Sequence, residues 1–299
     1  MSDPTISDRA VPETASQSVP AAYPAGRIAA KFRELSQRSE LGLVAYITAG
    51  DPSLQASENI ILAAAVAGAD VIELGVPFSD PVADGPTIQR ASERALRSGT
   101  TLAKVIDLIH WLRARTQVPL VLFSYFNPIL QMGIEKFAEK AAAAGADGVL
   151  ATDLTPEESS EYRAIVHSRE LDTIFLAAPT STDSRLARIA AVSSGFLYLI
   201  SRTGVTGTRD SLPEELPGLV RRIRKFTSLP VAVGFGISLP THVATLGGIA
   251  DAAVVGSALV AEIEKAASAD AAAKAVSDLV ARLKRAAREG VSRRSGEIA

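Results

Sequence analysis

The acidic side chains best placed for chemistry in this sequence are Glu73 and Asp84, both in the run ELGVPFSDPVADGPTIQRAS at residues 73 to 92. Glu73 falls where the apolar segment DVIELGV (70 to 76) ends, and Asp84 sits between an alanine and a glycine. Two carboxyls in unlike surroundings can hold different protonation states, so that one gives a proton while the other stays ionised. Pro77, Pro81 and Pro86 narrow the conformations open to the intervening loop, which suits a loop that must hold a carboxylate in place. The same residues also allow a structural reading. An aspartate before Gly-Pro is a common helix cap or turn residue, Pro86 suits the first position of a helix, and a glutamate ending a strand often serves as an ion-pair partner at a barrel mouth.

The elements that must position these acids are legible as repeated apolar runs. LVAYITAG (43 to 50), DVIELGV (70 to 76), PLVLFSYF (119 to 126), GVLATDL (148 to 154), TIFLAA (173 to 178), FLYLIS (196 to 201), PVAVGFG (230 to 236) and AAVVGS (252 to 257) predict eight strands. They are apolar throughout, as expected of parallel strands covered on both faces. Ala-rich stretches with helical spacing, such as IILAAAVAGA (60 to 69) and KFAEKAAAAGA (136 to 146), lie between them. AGAD recurs at 67 to 70 and 144 to 147, with GGIAD at 247 to 251 as a looser copy, each ending a helix on glycine and opening a strand. The expected fold is one (β/α)8 TIM barrel over residues 25 to 290 with an extra N-terminal helix. Function then belongs at the C-terminal ends of the strands. Residues 1 to 24, rich in Ser, Thr, Pro and Ala, predict a disordered tail, and residues 291 to 299 a flexible one.

The seventh and eighth strands run into Gly236, Gly256 and Ser257, whose backbone N–H groups could converge on a phosphate where barrels often bind one. Tight turns between strand and helix are the structural alternative. SRTGVTGTRDSLP (201 to 213), with two glycines and no apolar anchor, predicts a mobile lid or an ordinary connector. His110 and His167 fall within predicted helices, and His242 opens one as a cap neighbour. Trp111 and Phe137 fit packing of helix on barrel, and RRIRK (221 to 225) a solvated helix face. A net charge of −2 gives no electrostatic reason to expect nucleic acid or an anionic membrane, and zero cysteines exclude disulfides and a Cys nucleophile. The absence of a secretory h-region and of a long apolar run makes the cytoplasm the expected location.

ELGVPFSDPVADGPTIQ, SRTGVTG, GFGIS and GSALV, in this order and with ITAGDP (47 to 52), SYFNP (124 to 128) and APTST (178 to 182), resemble the tryptophan synthase alpha subunit family over roughly residues 25 to 290. The resemblance implies a lyase that splits indole-3-glycerol phosphate into indole and glyceraldehyde 3-phosphate by a retro-aldol step. It assigns Glu73 as the general acid–base and Asp84 as the carboxylate holding the indole N–H. Tyr46, Phe123, Tyr125 and Tyr198 then line the substrate site, with core packing the alternative for Phe123, and Thr206 belongs to the lid. Gly207, Gly236, Gly256 and Ser257 match phosphate ligands, and Asp80 a loop residue that signals to a partner. The family implies no cofactor in this chain, and an αββα assembly with a beta subunit that carries pyridoxal phosphate. One departure stands out: Thr155, in DLTPEES (153 to 159), occupies a position where the family commonly has proline, beside the partner surface. Another phosphate-sugar barrel enzyme, such as a phosphoribosylanthranilate isomerase, and a barrel kept chiefly to activate the beta subunit are the competing readings.

Overall fold

The computed structural model describes residues 26–200, 212–234 and 236–296, with side chains up to residue 290. The expected 1–24 tail and all but the last two residues of the expected lid lie outside this range.

All eight expected strands form: β1 (Gly42–Thr48), β2 (Val71–Gly75), β3 (Leu120–Ser124), β4 (Gly148–Ala151), the pair β5 (Asp172–Ile174) and β6 (Leu176–Ala177), β7 (Leu197–Ile200), β8 (Val231–Gly234) and β9 (Ala252–Val255). The fifth barrel strand is interrupted at Phe175 and so counts as two segments. Every pairing is parallel, in the order β5-β4-β3-β2-β1-β9-β8-β7-β6, so the two ends of the sheet are consecutive in the chain and the barrel is nearly closed.

Strand residues divide by parity. Val44, Val71, Val121, Leu150, Tyr198, Ala232 and Val254 meet inside the barrel, while their neighbours Leu43, Ile72, Leu122, Val149 and Leu199 pack outward under the helices. Both faces are therefore buried, which is why the runs read as continuously apolar. The extra N-terminal helix α1 (Arg27–Gln37) places Ile28, Phe32 and Leu35 in the interior cluster, with Phe32 5.7 Å from Phe196, and so plugs the N-terminal end.

The AGAD echo has a physical basis. Asp70, Asp147 and Asp251 each open a strand, and each turns its carboxylate back to accept the N–H at the start of the preceding one: Leu43 at 2.8 Å, Leu120 at 2.8 Å and Val231 at 2.6 Å. A cation neutralises each: Lys284 on Asp70, Arg113 and Arg27 on Asp147, Arg224 on Asp251. Ser194 does the same for the Thr173 N–H with a hydroxyl. These clips satisfy strand-edge donors that would otherwise be buried without acceptors.

Among the described residues, three connections carry a helix beyond one per strand: those after β2 and β9, and the one after β3, where α5 (Phe126–Met132) precedes α6 (Ile134–Ala144). α3 (Pro86–Arg97) follows the acidic loop before the barrel helix α4 (Leu102–Arg113), and α11 (Ser257–Lys265) precedes α12 (Ala269–Gly296), which packs against α2 (Leu54–Ala67) and α10 (Pro240–Leu246). α12 is described through Gly296, past residue 290 where a tail was expected. Trp111 departs from expectation: it is 63% exposed on the outer face of α4, whereas Phe137 is fully buried. RRIRK is not simply solvated, since Arg222 pairs with Asp183 and Arg224 with Asp251. No described helix is long and apolar enough to cross a membrane.

Candidate active site

Glu73 faces inward from β2, between Val71 and Gly75. It is fully buried, and neither carboxylate oxygen has a hydrogen-bond partner among the described residues. Burial, with no compensating cation among the described residues, pushes its pKa up to about 8. The ion-pair alternative for Glu73 fails: none of the salt bridges among the described residues includes it.

Asp84 lies on the loop after β2. Gly85 is the residue at the N-cap of α3, with Pro86 in the first turn, and no side chain caps this helix. The Asp84 carboxylate is thus not a cap. Its Oδ2 accepts the Tyr125 hydroxyl at 3.2 Å, and that hydroxyl in turn accepts the Ala83 N–H at 2.9 Å. Gln89 on the first turns of α3 donates to the Asp84 carbonyl at 2.9 Å, which fixes the backbone. Burial raises the Asp84 pKa to about 6, against the opposing effect of the Tyr125 hydroxyl.

Tyrosines line the space between the two acids. Tyr46 on β1 is buried, its hydroxyl held neutral by burial first and then by the charges of Asp84 and Glu73. Tyr198 on β7 is held neutral likewise, by burial and then by Glu73 and Tyr46. Phe123 meets Tyr46 edge-on at 5.1 Å, and Tyr125 stacks at 5.0 Å on Phe78. Phe123 is only partly buried and packs against both the interior cluster and the group of Tyr46, Ile88, Ala91 and Val260.

Two glycines that lie within the ELGVPFSDPVADGPTIQ and GFGIS motifs, but that the sequence does not single out, make this arrangement fit. A Cβ on Gly75 would stand 2.1 Å from the Tyr46 hydroxyl, and one on Gly234 would stand 2.2 Å from that of Tyr198. Glycine inside a strand signals such close approach, so ELGV and VAVG carried the clue.

At the other end of the site, Gly256 is the N-cap residue of α11 and Ser257 its first residue, with no side-chain cap on the helix N-terminus. Gly236 has a φ of +85°, the left-handed region that glycine enters without strain. His242, buried on α10, accepts the Ser238 N–H at Nδ1 over 3.4 Å and so braces the turn after β8. Thr206 and Gly207 lie outside the described residues. Asp80 is exposed beside Val82 on the loop after β2 and accepts from the Ser79 hydroxyl. The hydroxyl of half-buried Thr155 donates to Glu158 at 2.9 Å.

The arrangement offers one carboxyl that keeps its proton near neutrality, one that ionises, an aromatic slot and an uncapped helix N-terminus. A family model described as "Tryptophan synthase alpha chain" matches residues 32–288. A curated tryptophan synthase alpha chain from Solibacter usitatus is 52% identical over 239 residues, 80% of this chain and 90% of the relative. One from Geobacter sulfurreducens is 51% identical over 244 residues, 82% and 92% of the two chains. Among solved structures, a Mycobacterium tuberculosis tryptophan synthase chain superposes with a TM-score of 0.82 at 35% identity, covering 89% of this chain and 99% of that one. Tryptophan synthase subunit alpha from Legionella pneumophila gives 0.78 at 34%, with 90% and 99% covered.

Proposed function

This chain belongs to the tryptophan synthase alpha chain family and cleaves indole-3-glycerol phosphate to indole and glyceraldehyde 3-phosphate in tryptophan biosynthesis; we propose that Glu73 moves the proton and Asp84 receives the ring nitrogen. The carbon–carbon bond breaks readily only after the ring carbon that bears the side chain is protonated, because the ring must take up the bonding electrons. Glu73, neutral at physiological pH, supplies that proton and becomes a carboxylate. The positive charge then resides on the ring nitrogen, whose N–H donates to ionised Asp84. As the bond breaks, its electrons return to the ring as indole and the adjacent glycerol hydroxyl becomes the aldehyde. Its proton goes to Glu73, which is restored.

Tyr46, Phe123, Tyr125 and Tyr198 form the slot for the indole ring. Tyr198 stands beside Glu73, and Thr206 completes the closed site. Gly207, Gly236, Gly256 and Ser257 hold the phosphate with backbone N–H groups, aided by the N-terminal end of the α11 dipole. The chemistry needs no cofactor in this chain. Pyridoxal phosphate belongs to the beta subunit, which completes an αββα assembly in the cytoplasm, with Asp80 at the contact that relays between them.

The observation that carries this reading is the complete burial of Glu73 with neither carboxylate oxygen paired among the described residues. Glu73→Gln keeps the shape and removes the exchangeable proton, so indole formation is expected to fall by about 10³ or more while the fold is retained. Substantial turnover by the folded variant would remove Glu73 from this role.

A further inference from the structure

α3 and α11, two of the helices beyond one per strand, carry the two ends of the site: Asp84 lies just before α3, and Gly256 is the N-cap residue and Ser257 the first residue of α11. They pack on one another and on β1, through Ile88, Ala91, Val260 and Tyr46. A charged network joins them at the other end. Arg94 of α3 donates from Nε and Nη2 to the two oxygens of Asp51, both at 2.8 Å, in the loop after β1. Its remaining nitrogen, Nη1, reaches Glu264 of α11 at 2.8 Å. Arg90, one turn earlier, grips Glu264 with two bonds of 2.7 and 2.8 Å. Asp51 is buried, with a side chain 1% exposed, and Glu264 is 28% exposed. The same loop after β1 is tied to the end of α3 by Ser98, whose hydroxyl donates to the Gly50 carbonyl at 3.1 Å.

Fork-shaped, charge-assisted bonds of this kind fix relative orientation and are not merely attractive. None of these side chains belongs to the slot between the two acids. We infer that Asp51, Arg94, Arg90 and Glu264 form a positioning clamp that sets the separation between the Asp84 loop and the phosphate end of the site. The inference rests on the proposed roles of Asp84 and α11. Its consequence is specific: the clamp governs how well the two ends are occupied together by one molecule, and leaves each end on its own unchanged. Joining two fragments strengthens binding only when the protein holds the two sites at the spacing the linker spans.

The test compares three probes by calorimetry: indole, glycerol 3-phosphate, and indolepropanol phosphate, which joins the two. Glu264→Gln loosens the clamp at its partly exposed member. Arg94→Lys is the second variant; it leaves a cation beside Asp51, whose carboxylate would otherwise be buried alone at a cost to folding. Both are checked for an unchanged melting temperature. The expected result is that affinities for the separate fragments stay within about twofold of wild type while that for the joined ligand falls roughly tenfold, with kcat reduced beyond any change in fragment binding. Equal weakening of all three ligands, or no loss for the joined one, would overturn the inference. If glycerol 3-phosphate fails to displace indolepropanol phosphate from the wild-type protein, the phosphate reading of α11 falls, and the inference with it.

Discussion

A carboxyl buried without a partner is costly to ionise, and Glu73 turns that cost into a proton held near neutrality. In the folded chain it releases its proton at about 8, against 4.5 as an ordinary glutamate. Between those values the folded state binds more protons than the unfolded one, so the contribution of this group to stability declines as pH rises from about 4.5 through about 8. Glu73→Gln removes the decline. Urea denaturation at pH 9 is expected to find the variant more stable than wild type by roughly 2–4 kcal/mol, with a smaller difference at pH 5. An equal difference at both values would mean that ionisation is not the cause. The proposed mechanism needs Asp84 ionised and Glu73 protonated, which predicts a bell-shaped kcat/KM with limbs near 6 and 8. In Asp84→Asn, turnover is expected to drop by about 10² with the acid limb lost from what remains, and retention of that limb would reassign it.

Among the elements, the clips at the strand starts carry more than their size suggests. Asp147 accepts the Leu120 N–H and pairs with Arg113 and Arg27, all near the N-terminal end of the barrel and away from the acids. Asp147→Ala strands the buried Leu120 N–H and leaves the Arg113 guanidinium, still bonded to the Gly145, Thr116 and Val118 carbonyls, without its counter-charge, and is expected to cost about 3 kcal/mol by chemical denaturation while kcat stays near wild type. The clips were visible in the sequence only as an echo, because AGAD shows the repeat but not which N–H each carboxylate reaches. The strands themselves were plain, since burial on both faces leaves unbroken apolar runs. α3 and α11 were harder to see. Each lies beside a barrel helix in one connection, and no periodicity separates an added helix from the start of the next one. Trp111 failed for a related reason: helical spacing places it on a face without saying whether that face meets the barrel. Glu73 and Asp84 stand out by type and spacing, and the family resemblance suggests a role for each, but the full burial of one and the Tyr125 partner of the other could not be read from the sequence. Gly75 and Gly234 escaped notice because a glycine's part is the space it leaves for a tyrosine on the neighbouring strand.

Over the whole molecule, the C-terminal face of the barrel carries apolar side chains that a lone chain leaves in water. Val82, beside Asp80, is 83% exposed, and Leu130 on α5 (Phe126–Met132) is 50% exposed. Exposed apolar residues beside the candidate site, one on a loop and one on a helix, suit a partner's surface. Val82→Glu is expected to weaken association with the beta subunit by about tenfold in sedimentation or titration, with the indole-forming activity of the isolated chain unchanged. Undiminished association would move the interface elsewhere. Whatever the partner contributes, the proposed reaction depends on one proton being present on Glu73 when substrate arrives. Infrared difference spectra of wild type minus Glu73→Gln, recorded across a pH titration, measure that directly. A protonated carboxyl band that persists at neutral pH and disappears near pH 8 is the predicted result. A carboxylate band already complete by pH 6 would contradict the account.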